Sequence, residues 1–266
     1  MAAGLGWLGL VLGIGALGVR AEEKAPREPP IRVALFSDEG GKLAHATFRK
    51  ILEAQPGFTC EVVDGAAIRD GALRRADVLL QPGGSGSKQA ASLEKEGREE
   101  IRRFVRDGGG YMGICAGAYL ASADYDWSLH ILDAKVLDRK HWARGTGDVE
   151  MKLDADACKL LGCERSQVTV YYGQGPLLAP GGKDEIPDYD ELAVYETEIA
   201  KNGAPEGVMK GTTAAATGKF GQGRVFCFSP HPEKTVGLEH FIPAAVRWTA
   251  GKRRTAQVSP DADVAK

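Results

Sequence analysis

Residues 111–121 read Tyr111-Met112-Gly113-Ile114-Cys115-Ala116-Gly117-Ala118-Tyr119-Leu120-Ala121. The apolar first half predicts a strand over residues 111–115, and the residues after it predict a helix that begins at once. Gly-x-Cys-x-Gly at such a junction is typical of a nucleophile elbow, whose glycines let the backbone turn sharply and expose the central side chain. Cys115 is therefore a candidate nucleophile, and the backbone N–H of Ala116 a candidate oxyanion donor. A buried structural cysteine at a tight turn is the alternative interpretation.

Strands and helices alternate around this junction. Strands are predicted over residues 31–36, 58–63 and 77–81, and helical periodicity covers residues 44–52 and 89–106. This alternation indicates βαβ units and a parallel sheet covered on both faces. Beyond residue 123, short strands dominate until a last helix predicted over residues 233–248; they are predicted at 132–137, 149–153, 168–172, 192–197, 212–217 and 224–228. We therefore expect an α/β three-layer sandwich, with a mostly parallel central sheet and added antiparallel strands.

Composition limits the classes of function. The 266 residues are 43% hydrophobic and 26% charged, which suits a globular protein with a substantial core. The 34 basic and 36 acidic residues give a net charge of −2, which argues against a nucleic-acid-binding protein. Five cysteines are too few and too scattered for a disulfide scaffold or a zinc ribbon, although Cys158 and Cys163 could bridge a turn. We predict neither a metal site nor a cofactor.

The N-terminal segment predicts export. Residues 5–19 are almost entirely apolar but, at about 15 residues, short for a membrane span, which needs roughly 20. Val19 and Ala21 suit the −3 and −1 positions of a signal-peptidase site. We expect a signal peptide over residues 1–21, a linker over 22–30, one domain over 31–250 and a disordered tail over 251–266. The mature protein would be extracytoplasmic (periplasmic or secreted) and without a stable membrane span, and an uncleaved anchor is the alternative.

A base for the cysteine is predicted near the C-terminus. Of the five histidines, only His231 follows a strand with a carboxylate close by, in Ser229-Pro230-His231-Pro232-Glu233. Pro232 favours an extended conformation at His231. Positions two apart in an extended segment face the same way, so Glu233 can orient the His231 ring, as the third member of a triad does. The alternative is a helix-starting turn with an incidental histidine.

A glycine-rich loop follows the third predicted strand and reads Gln81-Pro82-Gly83-Gly84-Ser85-Gly86-Ser87. Loops at the carboxyl ends of parallel strands are where open α/β sheets bind ligands. The unhindered N–H groups of Gly83 and Gly84 could supply the other half of an oxyanion hole. In isolation, the loop could equally be a flexible connector.

These three segments together resemble the class I glutamine amidotransferase-like superfamily. Within it, residues 109–120, 171–176 and 221–225 are similar to the amidotransferase-like domain at the N-terminus of eukaryotic-type biotin–protein ligases. The resemblance implies a flavodoxin-like fold and a triad of Cys115, His231 and Glu233. No ligase catalytic domain follows in the sequence, so biotin ligation is not predicted.

Two functions are open at this point. The first is an exported cysteine hydrolase that cleaves a C–N amide bond in a small-molecule or peptide substrate. In that case Ser85, Tyr172, Gly173 and Gln174 would border the substrate, and Gly84 and Ala116 would hold the oxyanion. The second is a non-catalytic small-molecule binding module that reuses the same pocket.

Overall fold

The computed structural model describes residues 28–38 and 44–251, together with Met1. The predicted signal peptide beyond Met1, the linker up to residue 27 and the tail from residue 252 lie outside the described residues. Eleven strands and six α-helices occur in the described part: β1 (Ile31–Phe36), α1 (Ala44–Glu53), β2 (Phe58–Val63), α2 (Gly65–Arg69), β3 (Val78–Gln81), α3 (Gly86–Arg106), β4 (Gly110–Ile114), α4 (Ala116–Ala121), β5 (Ala134–Leu137), β6 (Gly147–Leu153), α5 (Ala155–Leu161), β7 (Gln167–Tyr172), β8 (Leu177–Pro180), β9 (Asp190–Tyr195), β10 (Thr213–Phe220), β11 (Gly223–Phe228) and α6 (Phe241–Ala250).

All of these strands belong to one sheet. Its main path runs β2-β1-β3-β4-β11-β10-β9-β6-β7, with β5 paired to β8 and β8 also paired to β10. Strands β2, β1, β3, β4 and β11 are parallel to one another, whereas β10, β9, β6 and β7 continue the sheet from β11 in antiparallel pairs. The parallel half therefore carries the βα junctions, and the antiparallel half extends it.

Helices cover both faces of the parallel half. Alternate residues of a strand point to opposite faces, and in β1 Val33 and Leu35 pack into one core with Phe48 of α1 and Ile242 of α6. The residues between and after them, Ala34 and Phe36, pack into a second core with Ile101 and Phe104 of α3. These two apolar layers confirm the predicted three-layer α/β sandwich.

No helix among the described residues is both long and apolar enough to cross a bilayer.

The structure corrects several predicted boundaries. Strand β4 ends at Ile114, one residue earlier than predicted, so Cys115 lies outside the strand. The last helix was predicted from Glu233 but begins at Phe241, because residues 232–234 form a single 3-10 turn and Gly237 adopts a φ of +89° that interrupts helical backbone. Helix α3 begins at Gly86 and contains a non-helical residue, Glu94.

Three elements were not predicted: α2, α5 and β8. The two helices have five and seven residues, too few for a recognisable apolar stripe. Their start signals were present in the sequence, since the side chains of Asp64 and Asp154 accept hydrogen bonds from the backbone N–H three residues on. Cys158 and Cys163, which could have bridged the end of α5, are free thiols in the structure.

The two glycines of the elbow are required by close backbone contacts. A Cβ atom on Gly113 would lie 2.6 Å from the carbonyl carbon of Gly117, and one on Gly117 would lie 2.2 Å from the carbonyl oxygen of Gln81. The hydroxyl of Tyr111 donates a hydrogen bond to the carbonyl of Gly117 at 2.8 Å. Helix α4 is thereby held against the ends of β3 and β4.

Substitution Gly117→Ala should therefore destabilise the protein. A methyl group at this position overlaps backbone atoms of β3, so the free energy of unfolding should fall by roughly 1–3 kcal/mol. Gly97→Ala is the matched control, because a Cβ there meets Leu93 at an ordinary 3.4 Å inside α3. In a helix interior alanine stabilises by about 0.5–1 kcal/mol over glycine. Urea denaturation should show a lower midpoint than the wild-type protein for Gly117→Ala and a higher one for Gly97→Ala. Equal midpoints for the two variants would refute the close-contact argument.

Candidate active site

Three adjacent strands bring the predicted site residues to one edge of the sheet. Strand β4 lies between β3 and β11 and is parallel to both. The glycine-rich loop follows β3, Cys115 follows β4, and His231 lies three residues beyond the end of β11. Because parallel strands end at the same edge, the three segments converge at the position where open α/β sheets bind ligands.

Cys115 occupies a strained backbone position at this edge. Its φ of +52° and ψ of −100° lie in a region that side-chain-bearing residues rarely adopt, at a cost of order 1–3 kcal/mol. Its N–H donates to the carbonyl of Phe228 at 2.8 Å, which extends the pairing of β4 with β11 by one residue. Its thiol lies 3.5 Å from the carbonyl oxygen of Gly173. The strain and the hydrogen bonds fix the direction of the thiol towards a cavity.

His231 and Glu233 form a buried pair beside the thiol. Nδ1 of His231 lies 2.6 Å from Oε1 of Glu233, and the two side chains are only 4% and 3% exposed. The backbone of His231 is non-helical, with a φ of −116° and a ψ of 80°, which falls short of the extended conformation expected before Pro232. Its ring also hydrogen-bonds to the side chain of Cys115. Because Glu233 engages Nδ1, Nε2 is the ring nitrogen that serves the thiol.

The His231 ring is sandwiched between two glycines. A Cβ on Gly83 would lie 2.6 Å from Cε1 of the ring, and one on Gly173 would lie 2.6 Å from Nε2. Any larger residue at either position would displace the imidazole. Gly83 and Gly173 therefore position the base, a role that sequence reasoning did not assign to them.

The protonation of His231 follows from opposing effects. Burial alone would lower its pKa, but the hydrogen bonds and charges of Cys115 and Glu233 raise the pKa from 6.5 to about 9. The ring is therefore predominantly an imidazolium at neutral pH.

The loop before α3 is held in place by Gln89, which sequence reasoning missed. This side chain is 1% exposed, and its Nε2 donates to the carbonyl of Pro82 at 3.0 Å. Gly84, with a φ of +146°, completes a turn that few other residues allow. The signal for Gln89 was its helical spacing from Leu93 and Ile101, which put a polar residue on the buried stripe of α3. The loop is thus an anchored element of the site rather than a free connector.

A cavity of about 380 Å³ opens over Cys115. Its floor and one side are formed by Cys115, by residues 84–87 and by Gly173 and Gln174. The remaining side consists of residues that were not predicted: Tyr119, Tyr125, Trp127, Arg139 and Trp142. A larger cleft of about 660 Å³ lies along α3, and none of the predicted site residues lines it.

The predicted site residues are placed as follows. His231 interacts with Glu233 on one side and with Cys115 on the other, and Gly84, Ser85, Gly173 and Gln174 line the cavity. Ala116 is buried at the first residue of α4. Tyr172 departs from the prediction that it borders the substrate: it is fully buried, it packs edge-on against Tyr195, and its hydroxyl donates to Gly175 at 2.9 Å. In the part of the chain described, no cluster of three or more His, Cys, Asp or Glu side chains could hold a metal ion.

Residues 36–143 match the family model described as biotin-protein ligase, N terminal. The biotin–protein ligase of Schizosaccharomyces pombe is 29% identical over 96 residues, covering 35% of this chain and 15% of that protein. The pyridoxal 5′-phosphate synthase subunit PdxT of Natronomonas pharaonis is 30% identical over 132 residues, covering 47% of this chain and 67% of the relative. The chain spans less than half of the length of most curated relatives that it matches.

Solved structures support the same fold. A ThuA-like protein from Parabacteroides merdae superposes with a TM-score of 0.56 at 13% identity, covering 86% of this chain and 93% of that one. At this identity the similarity concerns the fold alone.

Replacing Glu233 with Gln should lower the pKa of His231. The change removes the carboxylate that holds the imidazolium, while burial, which acts in the opposite direction, remains. In the wild-type protein the ring should titrate with a midpoint near 9, and Glu233→Gln should shift that midpoint towards acid. Imidazole resonances followed by NMR across pH measure both values, and Glu206→Gln, which removes an exposed carboxylate, is the control. An unchanged midpoint in Glu233→Gln would mean that the pair does not set the charge of His231.

Proposed function

Because this chain belongs to the class I glutamine amidotransferase-like superfamily, we propose that it is a cysteine hydrolase that cleaves a C–N amide bond. The observation that carries the proposal is the contact between a strained Cys115, open to a cavity, and a buried His231–Glu233 pair. Strained residues persist where the surrounding structure holds them, and they concentrate at functional sites. A merely structural cysteine would need neither the strain nor a charged base beside it.

The reaction would proceed in two halves. The Cys115 thiolate attacks the amide carbon, a C–S bond forms, and the carbonyl electrons move to the oxygen. The backbone N–H groups of Gly84 and Ala116 are the candidate donors for that oxyanion. His231 then gives its proton to the amide nitrogen, the C–N bond breaks, and the amine leaves from a thioester on Cys115. Water attacks the thioester with neutral His231 accepting its proton, the C–S bond breaks, and the carboxylic acid is released with the thiolate–imidazolium pair restored.

Alkylation and substitution of Cys115 test this function. Iodoacetamide at mildly acidic pH should modify Cys115 before Cys60, because burial, with the charge of Glu53, raises the pKa of Cys60 to about 11. Peptide mapping by mass spectrometry measures both rates in one sample. A Cys115 that reacts no faster than Cys60 would contradict an activated nucleophile.

Cys115→Ser should abolish hydrolysis in an amide turnover screen, by roughly a thousandfold or more, since loss of the nucleophile removes the covalent route. Cys60→Ser, which changes a half-buried cysteine on β2, should leave the rate unchanged. Unchanged turnover in Cys115→Ser would instead favour a binding module that shares the pocket.

We also propose that the protein acts after export, on the basis of the apolar segment 5–19 and the small residues before Glu22. N-terminal sequencing of the protein recovered from outside the cytoplasm should begin at Glu22. Recovery of an intact N-terminus at Met1 would contradict cleavage.

A further inference from the structure

The wall of the cavity opposite the loop is a stack of flat groups. The rings of Tyr125 and Trp127 lie 4.6 Å apart at an interplanar angle of 22°. The guanidinium of Arg139 lies 4.1 Å from the centre of the Tyr125 ring. Tyr119 meets Tyr125 edge-on at 6.1 Å. The wall therefore presents a rigid set of aromatic and planar surfaces to the space above Cys115.

Part of this apolar surface is left open. Trp142, which also lines the cavity, is 56% exposed, although a tryptophan gains most by being covered. Trp127 packs closely against the loop, since a Cβ on Gly86 would lie 3.0 Å from the indole. The rings are thus packed beside the loop, and they line the same cavity as Cys115.

The charge of Arg139 is already balanced. Its Nη1 donates to the carbonyl of Asp124 at 3.3 Å and lies 3.8 Å from the Asp124 carboxylate. An anionic group on a ligand would have to compete with this carboxylate. What Arg139 offers to the cavity is the planar face of a guanidinium, which stacks well on neutral aromatic rings.

From these contacts we propose that the amide substrate carries a neutral, planar aromatic group. The group would lie on the wall formed by Tyr125, Trp127, Arg139 and Trp142, and this would place the amide carbon over Cys115. The inference rests on the proposed hydrolase function and adds its substrate class. A short aliphatic amide would leave the wall uncovered and forgo that part of the binding energy.

Two probes of equal size and different shape test the inference in the wild-type protein. Benzamide is flat and cyclohexanecarboxamide is puckered, so only benzamide can stack. Benzamide should protect Cys115 from iodoacetamide at about a three- to tenfold lower concentration, the range that aromatic stacking adds beyond buried area. Equal protection by both probes, or protection by neither, would overturn the inference.

Variants locate the effect on the wall. Trp142→Leu and Tyr125→Leu keep apolar side chains but remove a ring, so the advantage of benzamide should disappear in each. Val236→Ala, which truncates a side chain that is 95% exposed elsewhere on the surface, should retain it. If the advantage persists in both wall variants, the aromatic group does not bind there.

The two proposals fail separately. Rapid alkylation of Cys115 together with equal protection by both probes would remove the aromatic substrate class and leave the hydrolase intact. Alkylation of Cys115 no faster than that of Cys60 would remove the hydrolase itself, whatever the probes show.

Discussion

The pairing of β4 with β3 on one side and β11 on the other is the constraint on which the site depends. The register sets Gly113 opposite Gln81 and Ile114 opposite Phe228, so the chain leaves all three strands at nearly the same level. The hydrogen bond from the N–H of Cys115 to Phe228 then fixes the elbow to β11. A histidine distant in sequence from the cysteine reaches it because the two strands that precede them are neighbours. The close contact of Gly117 with Gln81 holds the start of the glycine-rich loop beside the elbow.

Burial gives this arrangement its electrostatic character. A charged imidazole in the interior is unfavourable unless hydrogen-bonded partners compensate for the lost water. Glu233 provides that compensation through Nδ1, and the ring has no room to rotate away because Gly83 and Gly173 enclose it. The hydrogen bond to Glu233 that orients the His231 ring therefore also raises its pKa, against the lowering effect of burial. The position of the His231 ring and its pKa therefore depend on the same hydrogen bond, and a substitution that changes one should change the other.

The parts that could be predicted from the sequence carry a local backbone signature. Glycines mark the turn at Cys115, and Pro232 marks the non-helical residue at His231; both act through φ and ψ and need no knowledge of distant contacts. Tyr172 was expected to border the substrate together with its neighbours Gly173 and Gln174, but it is the buried last residue of β7, and adjacent residues at the end of a strand need not face the same side. Gln89 and the short helices α2 and α5 depend on what packs around them. The chain on either side of the strand predicted at 132–137, over residues 122–131 and 138–146, shows no hydrophobic periodicity from which a structure could be predicted.

The wall of the cavity and the group of residues around Cys115 come from different parts of the chain. The thiol, its base and the loop come from the ends of β3, β4 and β11, whereas Tyr125, Trp127, Arg139 and Trp142 come from the chain between α4 and β6. Helix α4 joins the two, since Tyr119 lies one turn after Cys115, contacts Tyr125, and hydrogen-bonds through its hydroxyl to the carbonyl of Gln174 at 3.3 Å. Under the proposed function, a change in the wall would alter which amide is bound while the parallel strands keep Cys115 and His231 in place. Functional residues are commonly carried by loops that a rigid sheet holds in place. Here a single turn of helix α4 connects the residues around Cys115 to the wall.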